Sequence, residues 1–230
     1  PTSERLWALY GLEFVDCGDF DPAGDAANVY TNFERFAMNY DQRGKGREWT
    51  YAGYTLDVRR WPDDLRINQG FDTSWIRIIN GKRIMYCTDM YAKHLAWFRF
   101  EEGSEIAINA GYYDKMKKDK RDEAFPPHRP AEGAFLWIDR NGDGHFDADE
   151  FESDGTNDPE TWAFWVDQKG DIWQGYEKKP KEIVRYPVQG LNEHGAPMYS
   201  RAKRVTYKTP TPFDSTDKGV QVERVIYDAD

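Results

Sequence analysis

Along most of the chain, apolar residues alternate with polar ones or fall in short runs bounded by Gly, Asp, Asn and Pro, the pattern of half-buried β-strands. It predicts strands over Asn28–Tyr40 (Val29, Tyr30, Phe33, Phe36, Met38, Tyr40), Glu48–Leu56, Trp75–Ile79, Arg83–Thr88, Leu95–Phe100 and Glu105–Ala110. Asn80-Gly81 between two such runs is the strongest hairpin signal, since a type I′ turn needs positive φ at both central residues. Ser74–Ala110 therefore reads as four consecutive antiparallel strands. A second set is predicted from Gly133 onward: Ala134–Ile138, Thr161–Val166, Asp171–Gln174 and Ile183–Pro187, with a turn at Gln168-Lys169-Gly170. Helical periodicity is scarce; Ser3–Leu12 (Leu6, Trp7, Leu9, Tyr10, Leu12) suits a helix or a strand equally, with no cap to decide. Val220–Tyr227 alternates as a strand and runs into a turn at Asp228-Ala229-Asp230.

Four-stranded units at intervals of about 40–60 residues are the signature of a propeller or another radial β-repeat. The expected fold is all-β: propeller-like repeats of four-stranded antiparallel blades, in an incomplete ring. Approximate blades span 1–70, 71–113 and 131–200, with a further one beginning at 201–230, and a charged, Pro-containing linker over 114–130 (Lys115 to Arg121, then Pro126-Pro127). The chain starts at Pro1 and ends after a strand that has no predicted partner, which gives the expectation of a piece of a longer chain.

Several stretches carry a resemblance. Val166-Asp167-Gln168-Lys169-Gly170-Asp171-Ile172-Trp173 resembles the D-x-x-G-(D/N)-(I/V)-W turn of NHL and sensor-type propeller blades, and Ile183–Tyr186 the outer strand that follows it. Gly190-Leu191-Asn192-Glu193-His194-Gly195-Ala196-Pro197-Met198-Tyr199 resembles the blade-linking stretch of large secreted bacterial propeller proteins. Glu48-Trp49-Thr50, Tyr54–Asp57 and Pro62-Asp63-Asp64 are similar to the same group. The resemblance covers about half the chain and implies a propeller from a secreted, periplasmic or cell-surface protein.

Composition narrows the function classes. With 31 Lys and Arg against 41 Asp and Glu the net charge is −10. A nucleic-acid groove needs a clustered basic surface to displace counterions, so nucleic acid is not an expected partner. Apolar runs such as Ala134–Ile138 fall far short of the roughly 20 residues of a membrane-spanning helix. Cys17 and Cys87, the two cysteines, make no disulfide framework, and whether they pair is open. Thirty-six aromatic residues (9 Trp, 14 Tyr, 13 Phe) in so polar a chain suit many short strands with few, large buried rings. Trp49, Trp61, Trp75, Trp97, Trp137, Trp162, Trp165 and Trp173 are expected mainly in the core, with stacking on sugar rings the alternative use.

One loop carries chemistry. Asp139-Arg140-Asn141-Gly142-Asp143-Gly144-His145-Phe146-Asp147-Ala148-Asp149-Glu150 matches the D-x-[DN]-x-[DN]-G-x₅-E calcium pattern at each defined position. Asp139, Asn141 and Asp143 supply side-chain oxygens, Gly144 the sharp turn, His145 its carbonyl, Asp147 a direct or water-mediated ligand and Glu150 two closing oxygens. The flanks are strand-like, so the loop resembles EF-hand and dockerin loops in coordination only. A structural calcium site is expected, not a sensor, because a sensor needs a pair of helices to move.

Other candidates are weaker. Asp16, Asp19, Asp21 and Asp25 lack a turning Gly and a closing Glu. Asp63-Asp64 reads as a surface turn before an acid–base pair. His94, His128, His145 and His194 fall in no zinc spacing. No nucleophile elbow, P-loop or dinucleotide fingerprint is present, Gly44-Lys45-Gly46 is a hairpin tip, and Ser104 and Ser200 have no paired base in view. The expected function is a calcium-stabilised, non-catalytic binding or structural module with a carbohydrate or protein ligand. The alternative is a propeller hydrolase, lactonase or lyase acting on carbohydrate.

Overall fold

The computed structural model describes residues 18–22, 26–115, 125–176, 181–211 and 226–227 of the chain. Ser3–Leu12, Asp16, Cys17, Asp25, most of Val220–Tyr227 and the middle of the charged linker lie outside the described residues. Among the described residues the fold is all-β, with fourteen strands in three antiparallel sheets. The first sheet runs β1 (Asp19–Phe20), β2 (Asn28–Tyr30), β3 (Glu34–Met38), β4 (Trp49–Tyr54). A single helical turn, α1 (Leu65–Asn68), leads into the second sheet of β5 (Thr73–Ile79), β6 (Lys82–Thr88), β7 (His94–Phe100), β8 (Ala107–Asp114), β9 (Phe135–Ile138) and β10 (Phe151–Ser153). The third is β11 (Thr161–Val166), β12 (Ile172–Tyr176), β13 (Glu182–Tyr186) and β14 (Val205–Lys208). Within each sheet every strand pairs with its neighbours in sequence, a meander.

The turn chemistry decides the hairpins. Asn80 and Gly81 have φ of +48° and +77°, as a type I′ turn requires, and close β5 on β6 in unbroken register from Ile79↔Lys82 to Thr73↔Thr88. In the third sheet, Asp167 Oδ1 accepts the backbone N–H groups of Lys169 and Asp171, and its Oδ2 accepts the Trp173 indole at 2.9 Å. Gly170, at φ +93°, sits where a Cβ would lie 2.4 Å from Ile79 Cδ1. These contacts give the Asp167–Trp173 pattern its physical content: the Asp builds the turn and the Gly lets it approach the neighbouring sheet.

Three strand readings change. Asn28–Tyr40 is two strands, because Thr31 Oγ1 accepts the Glu34 N–H and the Thr31 N–H donates to the Glu34 carbonyl, folding β2 onto β3. Phe135–Ile138 does not begin the second set; it pairs with β8, from Gly111↔Ile138 to Asp114↔Phe135, and extends the first set to six strands. The fourth strand beside β11–β13 is β14, across the Gly190–Tyr199 stretch.

Alternation puts a core on each face of the six-stranded sheet. Ile84, Tyr86, Leu95, Trp97, Leu136 and Ile138 pack with Phe164, Val166, Ile172, Val184 and Tyr186 of the third sheet. Met85, Cys87, Ala96, Phe98, Phe135 and Trp137 pack on the other side with Tyr30, Leu65, Phe71 and Phe146. Trp97 and Trp137 are fully buried in these cores; Trp49, Trp61, Trp75 and Trp165 are partly buried, and Trp173, though nearly buried, packs outside both cores.

Charged groups tie the layers. Asp19 and Asp21, half of the acidic cluster at 16–25, pair with Arg77 and Arg83 at 2.7 Å each and so join β1 to the second sheet. Asp64, expected on a surface turn, is 1% exposed; it caps α1 by accepting the Arg66 N–H and holds the equally buried Arg66 guanidinium through both carboxylate oxygens. Asp63 stays partly exposed.

Asp158 binds Arg201 at 2.7 and 3.1 Å and Arg204 at 3.1 Å, and accepts the Tyr113 hydroxyl at 2.7 Å. Burial alone would raise its pKa; the hydrogen bonds from Arg201 and Tyr113, with both guanidinium charges, overturn that and hold it below the usual carboxylate value. A carboxyl depressed in the fold contributes stability that is present above its unfolded value, near 3.8, and is lost as pH falls through the lower folded value. Acid unfolding of Asp158→Asn, followed by tryptophan fluorescence, should therefore show a shallower loss of stability below about pH 4 than the unaltered chain.

Candidate functional site

The calcium-pattern loop is the tip of the β9–β10 hairpin. Phe151 pairs with Trp137 and Ser153 with Phe135, so the loop runs from the buried β9 to the adjacent, half-buried β10. Phe146 plugs it from below, 4% exposed, with ring centroids 4.4 Å from Trp137 and 5.4 Å from Phe125. The Phe at this position anchors the loop to the core. Gly142 and Gly144 both have positive φ, +82° and +73°, and both are crowded: a Cβ on Gly142 would lie 2.4 Å from the His194 ring, and one on Gly144 2.9 Å from Trp61.

The six predicted ligand residues divide into two groups. Asp139 and Glu150 are buried, at 0% and 3% exposure. Asp139 Oδ1 accepts the Gly142 N–H at 2.8 Å, and its Oδ2 meets Arg99 at 3.1 Å. Glu150, expected to close the coordination shell, has its oxygens engaged otherwise: Oε2 accepts the Trp137 indole at 2.9 Å and Oε1 the backbone N–H groups of Arg140 and Asn141 at 2.6 and 3.2 Å. Burial pushes the Glu150 carboxyl up from its usual value, against the pull of those two N–H groups and the indole. Glu150 is thus a brace across the loop's mouth.

The second group faces water. Asn141 and Asp143 are exposed and Asp147 partly so. One oxygen of Asp143 and one of Asp147 converge on the Asn141 carboxamide nitrogen, at 3.2 and 2.8 Å. Asn141 Oδ1 accepts the Asp143 N–H and Asp143 Oδ1 the His145 N–H, so successive side chains turn the backbone inward. The exposed His145 ring lies 5.7 Å from Trp61, leaving only its carbonyl for the loop interior.

Hard oxygen donors in this group suit calcium or magnesium and not a soft metal. Among the described residues no three His, Cys, Asp or Glu side chains form a group that could hold a metal ion. What converges is two carboxylates and a carboxamide. The Asn141 NH₂ lies where the two carboxylates need positive charge, and its oxygen and nitrogen exchange places by a half-turn of the side chain.

Two neighbours were not legible in the loop itself. Arg99, 40 positions earlier on β7, donates to both Asp139 and the Gly142 carbonyl, at 3.1 and 2.6 Å. Asn192 donates to the Asp139 carbonyl at 2.8 Å, and His194 covers Gly142, so the Gly190–Tyr199 stretch is the loop's outer wall. The other candidates have structural roles here. Ser200 caps a 3₁₀ turn at Arg201–Lys203, Ser104 Oγ accepts the Ile106 N–H, and His94 is buried near the Gly70 carbonyl. No helix among the described residues is long and apolar enough to cross a membrane.

No protein-family model and no curated protein matches the chain. A solved structure from Bacteroides fragilis NCTC 9343, described as a candidate 6-phosphogluconolactonase, is similar to it with 11% sequence identity and a TM-score of 0.33, over 82% of this chain and 54% of that one. The chain spans about half the length of that protein.

Proposed function

We propose that the chain is part of a propeller-like, non-catalytic binding or structural module of a secreted or cell-surface protein, stabilised by calcium at the β9–β10 tip. The observation that carries this reading is the convergence of Asn141, Asp143 and Asp147 at the mouth of a hairpin loop that otherwise matches the calcium pattern throughout. Those three residues would hold the ion, with Asp139 and the His145 carbonyl completing the shell by loop position. Glu150 and Arg99 would keep the loop in shape. Bound calcium would supply two positive charges to a twelve-residue segment holding Asp139, Asp143, Asp147, Asp149 and Glu150 against Arg140 alone.

Loops of this kind in extracellular modules bind at roughly 10⁻⁴–10⁻³ M, suited to the calcium level outside a cell. An ion that binds only the folded state stabilises it by RT ln(1 + [L]/Kd). At about 10 mM calcium this gives about 1.4–2.7 kcal/mol, or roughly 3–10 °C in thermal midpoint for a domain of this size. The measurement is thermal unfolding with calcium and with chelator, on the unaltered chain and on Asp143→Asn and Asp147→Asn. Both variants should lose the calcium-dependent rise while matching the unaltered chain in chelator. Asp139→Ala is the wrong probe, because it also strips Arg99 of its partner. A midpoint indifferent to calcium in the unaltered chain would sink the reading.

A further inference from the structure

The third sheet turns one face to the core; the other carries an aromatic site with an occupant. Trp165, Trp173 and Arg185 form a cross-strand row on β11, β12 and β13, with Ile183 and Tyr207 paired in the next row. Arg185 lies 5.5 Å from the Trp173 ring and is held there by Asp171 at 2.7 Å. Trp165 is fixed from the other side by Trp75, 6.2 Å away, and by Arg77 over its ring at 5.3 Å. The row is therefore rigid on three sides.

On it sits Tyr227. Its ring stacks on Trp173 with centroids 4.4 Å apart and planes 22° off parallel, and its backbone carbonyl accepts the Trp165 indole N–H at 3.1 Å. Tyr207 stacks on the same indole at 5.8 Å and 24°. Tyr227 is itself 43% exposed and the preceding Ile226 57%, so the face takes up one side of the ring and the carbonyl and leaves the rest of this segment in water. The face thus offers a flat aromatic surface for a side chain and, beside it, a single side-chain donor for a main-chain carbonyl.

We propose that this face of the third sheet is a docking slot for a tyrosine-bearing peptide segment, filled in cis by the chain's own Tyr227. Tethering gives the cis occupant an effective concentration of order millimolar, enough to keep out weak ligands supplied in trans. The slot then accepts a second segment only when Tyr227 leaves.

The test uses the full chain carrying Tyr227→Ala and a ten-residue peptide of the sequence Gln221–Asp230, with binding read by calorimetry and tryptophan fluorescence. The Tyr227→Ala chain should bind the peptide at least tenfold more tightly than the unaltered chain. The same peptide with alanine for its tyrosine should not bind, and adding Trp173→Ala should abolish binding. Tyr227→Phe, which keeps the stack and the carbonyl, should exclude the peptide as the unaltered chain does. Equal binding of both peptides, no binding by the Tyr227→Ala chain, or failure of that chain to fold would each overturn the proposal, the last because it would make Tyr227 part of the core.

Discussion

Replacing Arg66 by methionine lowers the unfolding free energy by about 3–5 kcal/mol, the cost of leaving a buried carboxylate without its partner. For a chain of this length that is a fall of roughly 6–20 °C in the thermal midpoint. The geometry accounts for the size. Arg66 is 1% exposed and its fork is spent in full: on both Asp64 oxygens, on the Asn32, Thr55 and Ala107 carbonyls and on Thr55 Oγ1, with its plane 4.6 Å from the Phe98 ring. Methionine fills much of the volume but strands all of these acceptors in a buried site. Lysine keeps the charge and loses the fork, so Arg66→Lys should also destabilise, by a smaller amount. Asp64→Asn in the Arg66→Met background should recover part of the loss, since it removes the unpaired charge. Full recovery would mean that the ion pair alone matters; no recovery would mean that the carbonyls left without donors carry the cost. Denaturant unfolding of the four chains separates the two.

Gly111→Ala is the second large effect, and it acts through space, not through backbone freedom. A Cβ at Gly111 would lie 2.0–2.2 Å from Cε2, Cζ2 and Nε1 of Trp97, inside the ring's own radius. Trp97 cannot withdraw. It is fully buried, with Tyr199 5.0 Å away edge-on and Tyr86 at 6.4 Å, and those two hydroxyls are bonded to each other at 2.7 Å. Overpacking of this kind costs about 1–3 kcal/mol where neighbours can shift; here the loss should reach or pass the top of that range. Trp97→Leu makes room at the price of a cavity, so the double variant Gly111→Ala/Trp97→Leu should be more stable than the sum of the two single losses predicts. Simple additivity in urea unfolding would contradict the assigned contact.

What could be read from residues alone follows how far each interaction reaches along the chain. Asn80-Gly81 names its hairpin because two adjacent φ angles decide it. The β9–β10 loop is visible because all its polar residues lie within twelve positions. Placing Phe135–Ile138 beside β8 was out of reach, since an apolar run of that kind fits either neighbouring sheet and the choice is made by packing across a long excursion. Asp64 looked like surface because two adjacent carboxylates suggest water; its burial depends on a guanidinium two residues later in a helical turn too short to show a period. Glu150 matches a metal ligand by spacing, yet one of its oxygens accepts the Trp137 indole, through a register set by the strands below, and the other the Arg140 and Asn141 N–H groups. Arg99 gave no sign at all, being tied to the loop only through the sheet.

The six-stranded sheet shares one core with the third sheet and the other with Tyr30 of the first. Its strands cannot separate without exposing apolar surface on both sides at once. Local opening is therefore confined to hairpin tips and outer strands, and loss of β6, β7 or β8 amounts to loss of the whole. A chain built as a row of sheets would otherwise melt piece by piece. The doubly covered middle should make it come apart as one cooperative unit, with fluorescence and circular dichroism transitions that coincide in denaturant.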